Sequence, residues 1–312
     1  MNIYTISKDL NLIDLMPPVP GFEEFLGSYV LRGEEVAMVD VGPSNCASTL
    51  LQGLATLNIS PKEVEYLFIT HIHIDHAGGL GTLMEHMPQA KVIVHEKGIR
   101  HLIDPQRLWE ASKQALGELA EKYGEIFPVP QERIIVAEEG MQIDLGRGIN
   151  VEVLATPGHA PHHLSFLERK DKVLFAGEAA GILAKGTLRP GTPPPFNLEQ
   201  ALASLDKLIA ATPSALCYGH FGCVDDAPRR LQAHRDQLVL WGKVVADGMA
   251  KETSMEQMSQ ELMERDKLLQ GLDNLSGEQQ QREHFFISNS IWGFLDYFRK
   301  HGVPNDLASD PE

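Results

Sequence analysis

Residues 70–79 read Thr70-His71-Ile72-His73-Ile74-Asp75-His76-Ala77-Gly78-Gly79, directly after the apolar run Val64-Glu65-Tyr66-Leu67-Phe68-Ile69. The run predicts a strand, Val64 to Thr70, buried on both faces or nearly so. In extended backbone His71 and His73, two residues apart, lie on the same side, while Asp75 and His76 fall where the chain turns from strand to helix. Metal-capable side chains thus crowd one strand end. Burying stacked imidazoles and a carboxylate without a cation is costly, so the stretch points to a metal site.

Working outward, the same device recurs. Thr156-Pro157-Gly158-His159-Ala160-Pro161-His162-His163 follows the apolar run Ile149 to Ala155, and Tyr218-Gly219-His220-Phe221-Gly222 follows Ala215 to Tyr218. Between them Val173-Leu174-Phe175-Ala176-Gly177-Glu178 delivers a carboxylate in the same manner. Every candidate lies at a strand end, where open α/β sheets place their sites. Of thirteen histidines, those at 71, 73, 76, 159, 162, 163 and 220 fall in these stretches.

Around them, Ser28–Leu31 and Val36–Val41 predict a hairpin ending in Asp40-Val41-Gly42-Pro43, and residues 44–58 a helix with Ser44 or Asn45 as N-cap. Gly78–His86 predicts a helix start, Lys91–His95 a strand, and 98–124 an inserted helix or helix pair. The closely spaced strands Ile134–Val136, Met141–Asp144, Ile149–Ala155, His163–Glu168 and Lys172–Ala176 predict a second, antiparallel sheet. Residues 186–197, with four prolines, predict a rigid irregular loop, and Leu198–Ala211 a helix. From Ala227 onward the pattern is helical, with Pro304–Glu312 expected to fray.

In their order, THIHIDHAGG (70–79), TPGHAPHHLSF (156–166), LFAGE (174–178) and YGH (218–220) resemble the metal motifs of the metallo-β-lactamase superfamily, over roughly residues 20 to 222. The resemblance implies an α/β protein with an αββα sandwich. Residues 1–224 would form the catalytic domain and 225–312 a C-terminal helical extension. By the same resemblance His71, His73 and His159 hold one divalent ion, and Asp75, His76 and His220 a second, with Glu178 bridging them. Family members usually carry aspartate there. The extra methylene of Glu178 leaves three options open: a bridge, a ligand to one ion only, or a weak second site. His162 and His163 lie beside the ligands as supporting groups. The implied reaction is hydrolysis by a metal-activated hydroxide, with Asp75 as the catalytic group that orients it and passes its proton to the leaving group. Zinc suits this nitrogen-rich, thiolate-free set, and iron or manganese accept it as well.

Among the branches, TPGHxxxH and LFxG resemble the glyoxalase II type of thioesterase, while lactonases share HxHxDH. The expected substrate is therefore a small metabolite with a thioester or ester/lactone bond. A metal-containing binding or signalling protein, or a single-iron persulfide dioxygenase, are the alternatives. A helical extension also occurs in the branch that includes the quinolone-signal response thioesterase. Here the aromatic segment 283–298 is expected to form core, a lid over the site, or a homodimer contact. Arg189 is either a partner for an anionic substrate group or a solvated side chain.

Lys and Arg number 27 against 43 Asp and Glu, leaving −16 and a surface that repels phosphate backbones and anionic membranes. Neither nucleic acid nor membrane is an expected partner. No apolar run approaches the length of a membrane span and the N-terminus lacks a signal-peptide pattern, so a soluble, cytoplasmic protein is expected. Cys46, Cys217 and Cys223 cannot all pair with one another, which fits a reducing compartment.

Overall fold

The computed structural model describes residues 2–305 and 307. A seven-stranded sheet takes its strands in chain order: β1 (Ile3–Ser7), β2 (Leu10–Asp14), β3 (Gly27–Arg32), β4 (Val36–Val39), β5 (Val64–Phe68), β6 (Lys91–His95) and β7 (Ile134–Ala137). Pairing is antiparallel as far as β4 and parallel beyond it. Each parallel step needs a crossover. These are α1 (Ala47–Thr56), then α2 (Ile74–Ala77) with α3 (Leu80–Met84), then α4 (Glu96–Ile103), α5 (Gln106–Leu116) and α6 (Glu118–Tyr123).

The second sheet is built from β8 (Gln142–Asp144), β9 (Asn150–Ala155), β10 (Leu164–Glu168) and β11 (Val173–Gly177). After a separate hairpin of β12 (Ile182–Ala184) and β13 (Thr187–Arg189), helix α7 (Leu198–Ala210) crosses to β14 (Ala215–Tyr218), parallel to β11, and β15 (Cys223–Asp225) closes the edge. Three helices follow: α8 (Ala227–Ala250), α9 (Met255–Arg265) and α10 (Gly277–His301).

Side chains that alternate along the strands sort themselves into layers. Ala37, Val39, Phe68, Ile93, Phe166, Phe175 and Cys217 fill the space between the sheets. Val36, Met38, Leu67, Val92 and Val94 face the other way, onto Leu50, Leu54 and Leu80 of the helices. On the far side Leu174 and Leu216 meet Leu205, Leu231, Trp241, Ile291 and Phe294, so α7 to α10 cover the second sheet. This is an αββα sandwich with extra C-terminal helices, as expected.

Several local expectations are corrected. Ile134–Ala137 completes the first sheet rather than opening the second, because it pairs in parallel with β6. The N-cap of α1 is Cys46. Ser44 Oγ donates instead to the Gly78 carbonyl, and Asn45 Nδ2 to that of Lys122. Thr187–Arg189 is a strand within the proline-rich stretch, and 96–123 holds three helices, not one or two. Leu307 is buried against the second-sheet helices instead of fraying; Asp306 and 308–312 lie outside the described residues. The terminal strands β1 and β2 and the edge strand β15 had no counterpart in the sequence reading. No helix among the described residues is long and apolar enough to cross a membrane.

Candidate metal centre

Strand β5 stops at Phe68 because Asp40 claims the backbone that follows. Its Oδ1 accepts from the Thr70 N–H at 2.9 Å, and its Oδ2 from the Thr70 hydroxyl at 2.8 Å. The chain then runs through His71 and His73 into α2, whose first turn carries Asp75 and His76. His76 Nδ1 hydrogen-bonds Asp40 Oδ2 at 2.9 Å, and His71 Nδ1 meets the Thr70 hydroxyl at 3.0 Å. Each ring is thereby anchored through Nδ1. His71 Nε2 and His76 Nε2 are left buried without a protein partner.

The second sheet supplies the opposite side. Gly177 (φ 56°) turns the chain out of β11, and a Cβ there would lie 2.4 Å from His163 Nε2. That nitrogen accepts the Glu178 N–H at 3.0 Å while His163 Nδ1 bonds the Thr156 hydroxyl at 2.9 Å, so His163 steers Glu178. Glu178 is buried, not a surface-turn carboxylate. Its Oε2 is 2.7 Å from His159 Nδ1, and its Oε1 is 2.5 Å from His220 Nε2 and 3.7 Å from His76 Nε2. His159 Nε2 lies 3.0 Å from His73 Nδ1, and Asp75 Oδ2 stands 3.9 Å from both His76 and His220.

The seven residues singled out in the sequence come together as two groups: His71, His73, His159 and Glu178, then Asp75, His76, Glu178 and His220. Within each group the donor atoms lie within 4.8 Å of one another. Glu178 belongs to both. Imidazole rings crowd together, His71 tilted against His76 at a centroid distance of 4.2 Å and edge-to-face with His73 at 4.5 Å.

Charge in the cluster is organised around that carboxylate. Burial opposes ionisation of Glu178, yet the charge on His159, hydrogen bonds from His159 and His220 and the nearby His76 ring hold its pKa well below the usual range. Burial likewise opposes a charged His76, but Asp40 and Asp75 outweigh it and raise its pKa well above the ordinary histidine value. Burial and the neighbouring imidazoles push His71 far down and His73 down to about 4. An anion held by positive charge, neutral imidazoles at its flank and two orphaned Nε2 atoms together make a donor set that fits divalent cations.

Five of the seven, His73, Asp75, His159, Glu178 and His220, line a cavity of about 920 Å³. Leu108, Ala115, Leu116 and Leu119 of the inserted helices wall one side, and Pro193–Pro195, Phe286 and Trp292 the other. Segment 283–298 is therefore both core, through Ile287, Ile291, Phe294 and Phe298, and cavity wall. Arg189 is neither solvated nor unpaired. It is 1% exposed, its Nε donates to Glu283 Oε2, and its guanidinium lies 4.7 Å from the Phe286 ring centre.

Sequence reading missed Asp40, Thr70 and Glu283 as parts of this region. Asp40 shares the strand-end position of the ligand candidates, and it takes a left-handed φ of 54° before Val41-Gly42. A carboxylate just before a glycine turn was the available signal.

The sequence model of the metallo-beta-lactamase superfamily matches residues 27–220. The chain belongs to that superfamily. It is 32% identical over 223 residues to the metallo-beta-lactamase fold-containing protein ST1585 of Sulfurisphaera tokodaii, covering 70% of this chain and 80% of that one. The solved structure of ST1585 matches with a TM-score of 0.64 over 75% of this chain and 87% of its own. The metallo-beta-lactamase family protein TTHA1429 of Thermus thermophilus, 23% identical, shares the fold over 96% of this chain and 95% of that chain, with a TM-score of 0.71. A hydroxyacylglutathione hydrolase of Aeromonas hydrophila is 27% identical over 206 residues, 65% of this chain and 64% of that protein.

Proposed function

We propose that the protein is a metal-dependent hydrolase that cleaves a thioester or an ester/lactone bond of a small metabolite. The observation that carries this reading is that two donor groups share Glu178 at the floor of one apolar-walled cavity. Divalent ions there, proposed as zinc with iron or manganese accepted by the same donors, would polarise a carbonyl and make a water acidic enough to lose its proton at neutral pH.

The chain's own residues do the rest. His71, His73 and His159 would hold one ion and Asp75, His76 and His220 the other, with Glu178 available to both. Asp75, whose side chain is 16% exposed, is placed to take up a proton and release it to the leaving group. Apolar walls exclude water and fit an acyl chain. Lys97 and Arg107 of the lining are exposed cations, and among the described residues the acids lining the cavity are Asp75 and Glu178. That contrast, on a chain of net charge −16, favours substrates with an anionic end. Likeness to a hydroxyacylglutathione hydrolase supports the thioester choice.

The test is a screen of zinc-, iron- and manganese-loaded protein on thioesters, lactones, phosphodiesters and β-lactams, with a chelated control. Turnover of thioesters or lactones that vanishes on chelation is expected; unchanged turnover in metal-free protein overturns the assignment. Cytoplasmic location and a homodimer contact through Phe285 and Trp292, the exposed aromatics of α10, complete the proposal. A monomer in sedimentation would remove the dimer.

A further inference from the structure

Between β14 and β15 the chain reads Cys217-Tyr218-Gly219-His220-Phe221-Gly222-Cys223, so two cysteines bracket His220. They are also direct partners across the antiparallel ladder. The Tyr218 N–H donates to the Gly222 carbonyl at 3.0 Å, which makes 218 and 222 a hydrogen-bonded pair. Such pairs alternate with closer, non-hydrogen-bonded ones, and 217 with 223 is of the closer kind. Its Cα atoms belong about 4.5 Å apart, within the roughly 4.4–6.8 Å that a disulfide spans. Both side chains face the inter-sheet layer, Cys217 buried and Cys223 partly exposed on an edge strand. Both thiols are free, and a hydrogen bond from Cys217 favours the thiolate of Cys223.

We propose that Cys217 and Cys223 form a thiol–disulfide exchange site that reacts with small-molecule disulfides, of which oxidised glutathione is one, and closes a covalent link across the base of the His220 loop. The accessible Cys223 thiolate attacks one sulfur of the small disulfide and expels a thiolate, leaving a mixed disulfide. Cys217 then gives up its proton, attacks the Cys223 sulfur and expels the second thiolate. The protein loses two protons and two electrons, and the reagent takes them up to become two thiols. The link restrains a loop already held at its neck by Tyr29, whose hydroxyl lies 2.9 Å from the Tyr218 carbonyl and 2.7 Å from that of Gly222. It requires no metal and stands independently of the hydrolase reading.

The whole protein is incubated with oxidised glutathione, denatured and titrated for thiols. Free thiols are expected to fall from the three of the sequence to one. The tryptic peptide spanning 208–229, which contains both cysteines, becomes two hydrogens lighter and retains no glutathione. Amide hydrogen exchange at 218–222 slows in the oxidised form. Cys223→Ser, at the partly exposed position, keeps both remaining thiols. Three persistent thiols, stable glutathione on Cys223, or a disulfide between two chains would overturn the proposal; unchanged exchange would refute the restraint.

Discussion

Glu283→Gln removes one charge from a buried ionic knot while keeping the side-chain volume. Glu283 is fully buried between Arg189 and Arg282, whose side chains are 1% and 2% exposed. Arg282 reaches Glu283 Oε1 through Nε and Nη2, each at 2.7 Å, donates to the Gly21 carbonyl, and lies 3.9 Å from the Phe25 ring centre. With the carboxylate gone, two buried guanidinium ions remain with no counter-charge between them. Breaking a buried pair in this manner costs about 3–5 kcal/mol. That is a fifth or more of the roughly 5–15 kcal/mol that stabilises a typical domain. Urea unfolding followed by circular dichroism should show the midpoint fall with an unchanged slope. Replacing the whole knot by apolar residues (Arg189→Met, Arg282→Met, Glu283→Leu) should be less damaging than Glu283→Gln, since no charge is left unpaired. A loss below about 1 kcal/mol for the single variant, or a triple variant clearly worse than it, would refute the reasoning.

Acid sensitivity has a source of its own, separate from this knot. His234 is buried beside Gln237 and its pKa is lowered by burial to about 4, against an ordinary 6.5. The unfolded chain takes up this proton below about pH 6.5 and the native chain only near pH 4, so stability falls as pH drops through that window, by about 3 kcal/mol in all. His234→Gln should lose that share of the acid limb; identical pH–stability curves for both proteins would exclude it. Asp40→Asn turns an acceptor of three hydrogen bonds into a poorer one and should cost about 2 kcal/mol. It should also loosen His76, which is read as a lower content of the second ion by elemental analysis; full content would show that Asp40 does not orient the ring. For Glu178→Gln the expected content drops from two zinc equivalents to about one, and two tightly held equivalents in the variant would rule out the bridge.

Much of the centre was legible because its signals are local. A spacing of two residues in extended backbone fixes His71 and His73 on one side, and a glycine or Pro-Gly turn after an apolar strand announces His159, Glu178 and His220. What escaped is non-local. Asp40 acts on residues thirty or more positions away, and nothing in its own neighbourhood names Thr70 and His76 as partners. Ile134–Ala137 reads as a strand, but whether it joins β6 or β8 depends on a pairing made across three helices. Arg189 met its partner ninety-four residues later, so its burial was invisible beside the surrounding prolines. Periodicity in α10 showed an apolar face without showing that Phe286, packed against the first-sheet core, and the exposed Trp292 both line the cavity.

The position of α10 also orders events during synthesis. The strands that carry the donor residues are complete once β14 and the loop after it have emerged, yet one wall of the cavity and the partner of Arg189 wait for the last long helix. At about 5–20 residues per second, the stretch from β15 to the end of α10 takes on the order of 4–15 s to make. During that interval a nascent chain holds its donors beside a half-open basin, with the outer face of the second sheet covered by α7 but not yet by α8 to α10. A growing chain therefore gains its chemistry last, and the same seconds are when it most needs shelter from other nascent chains.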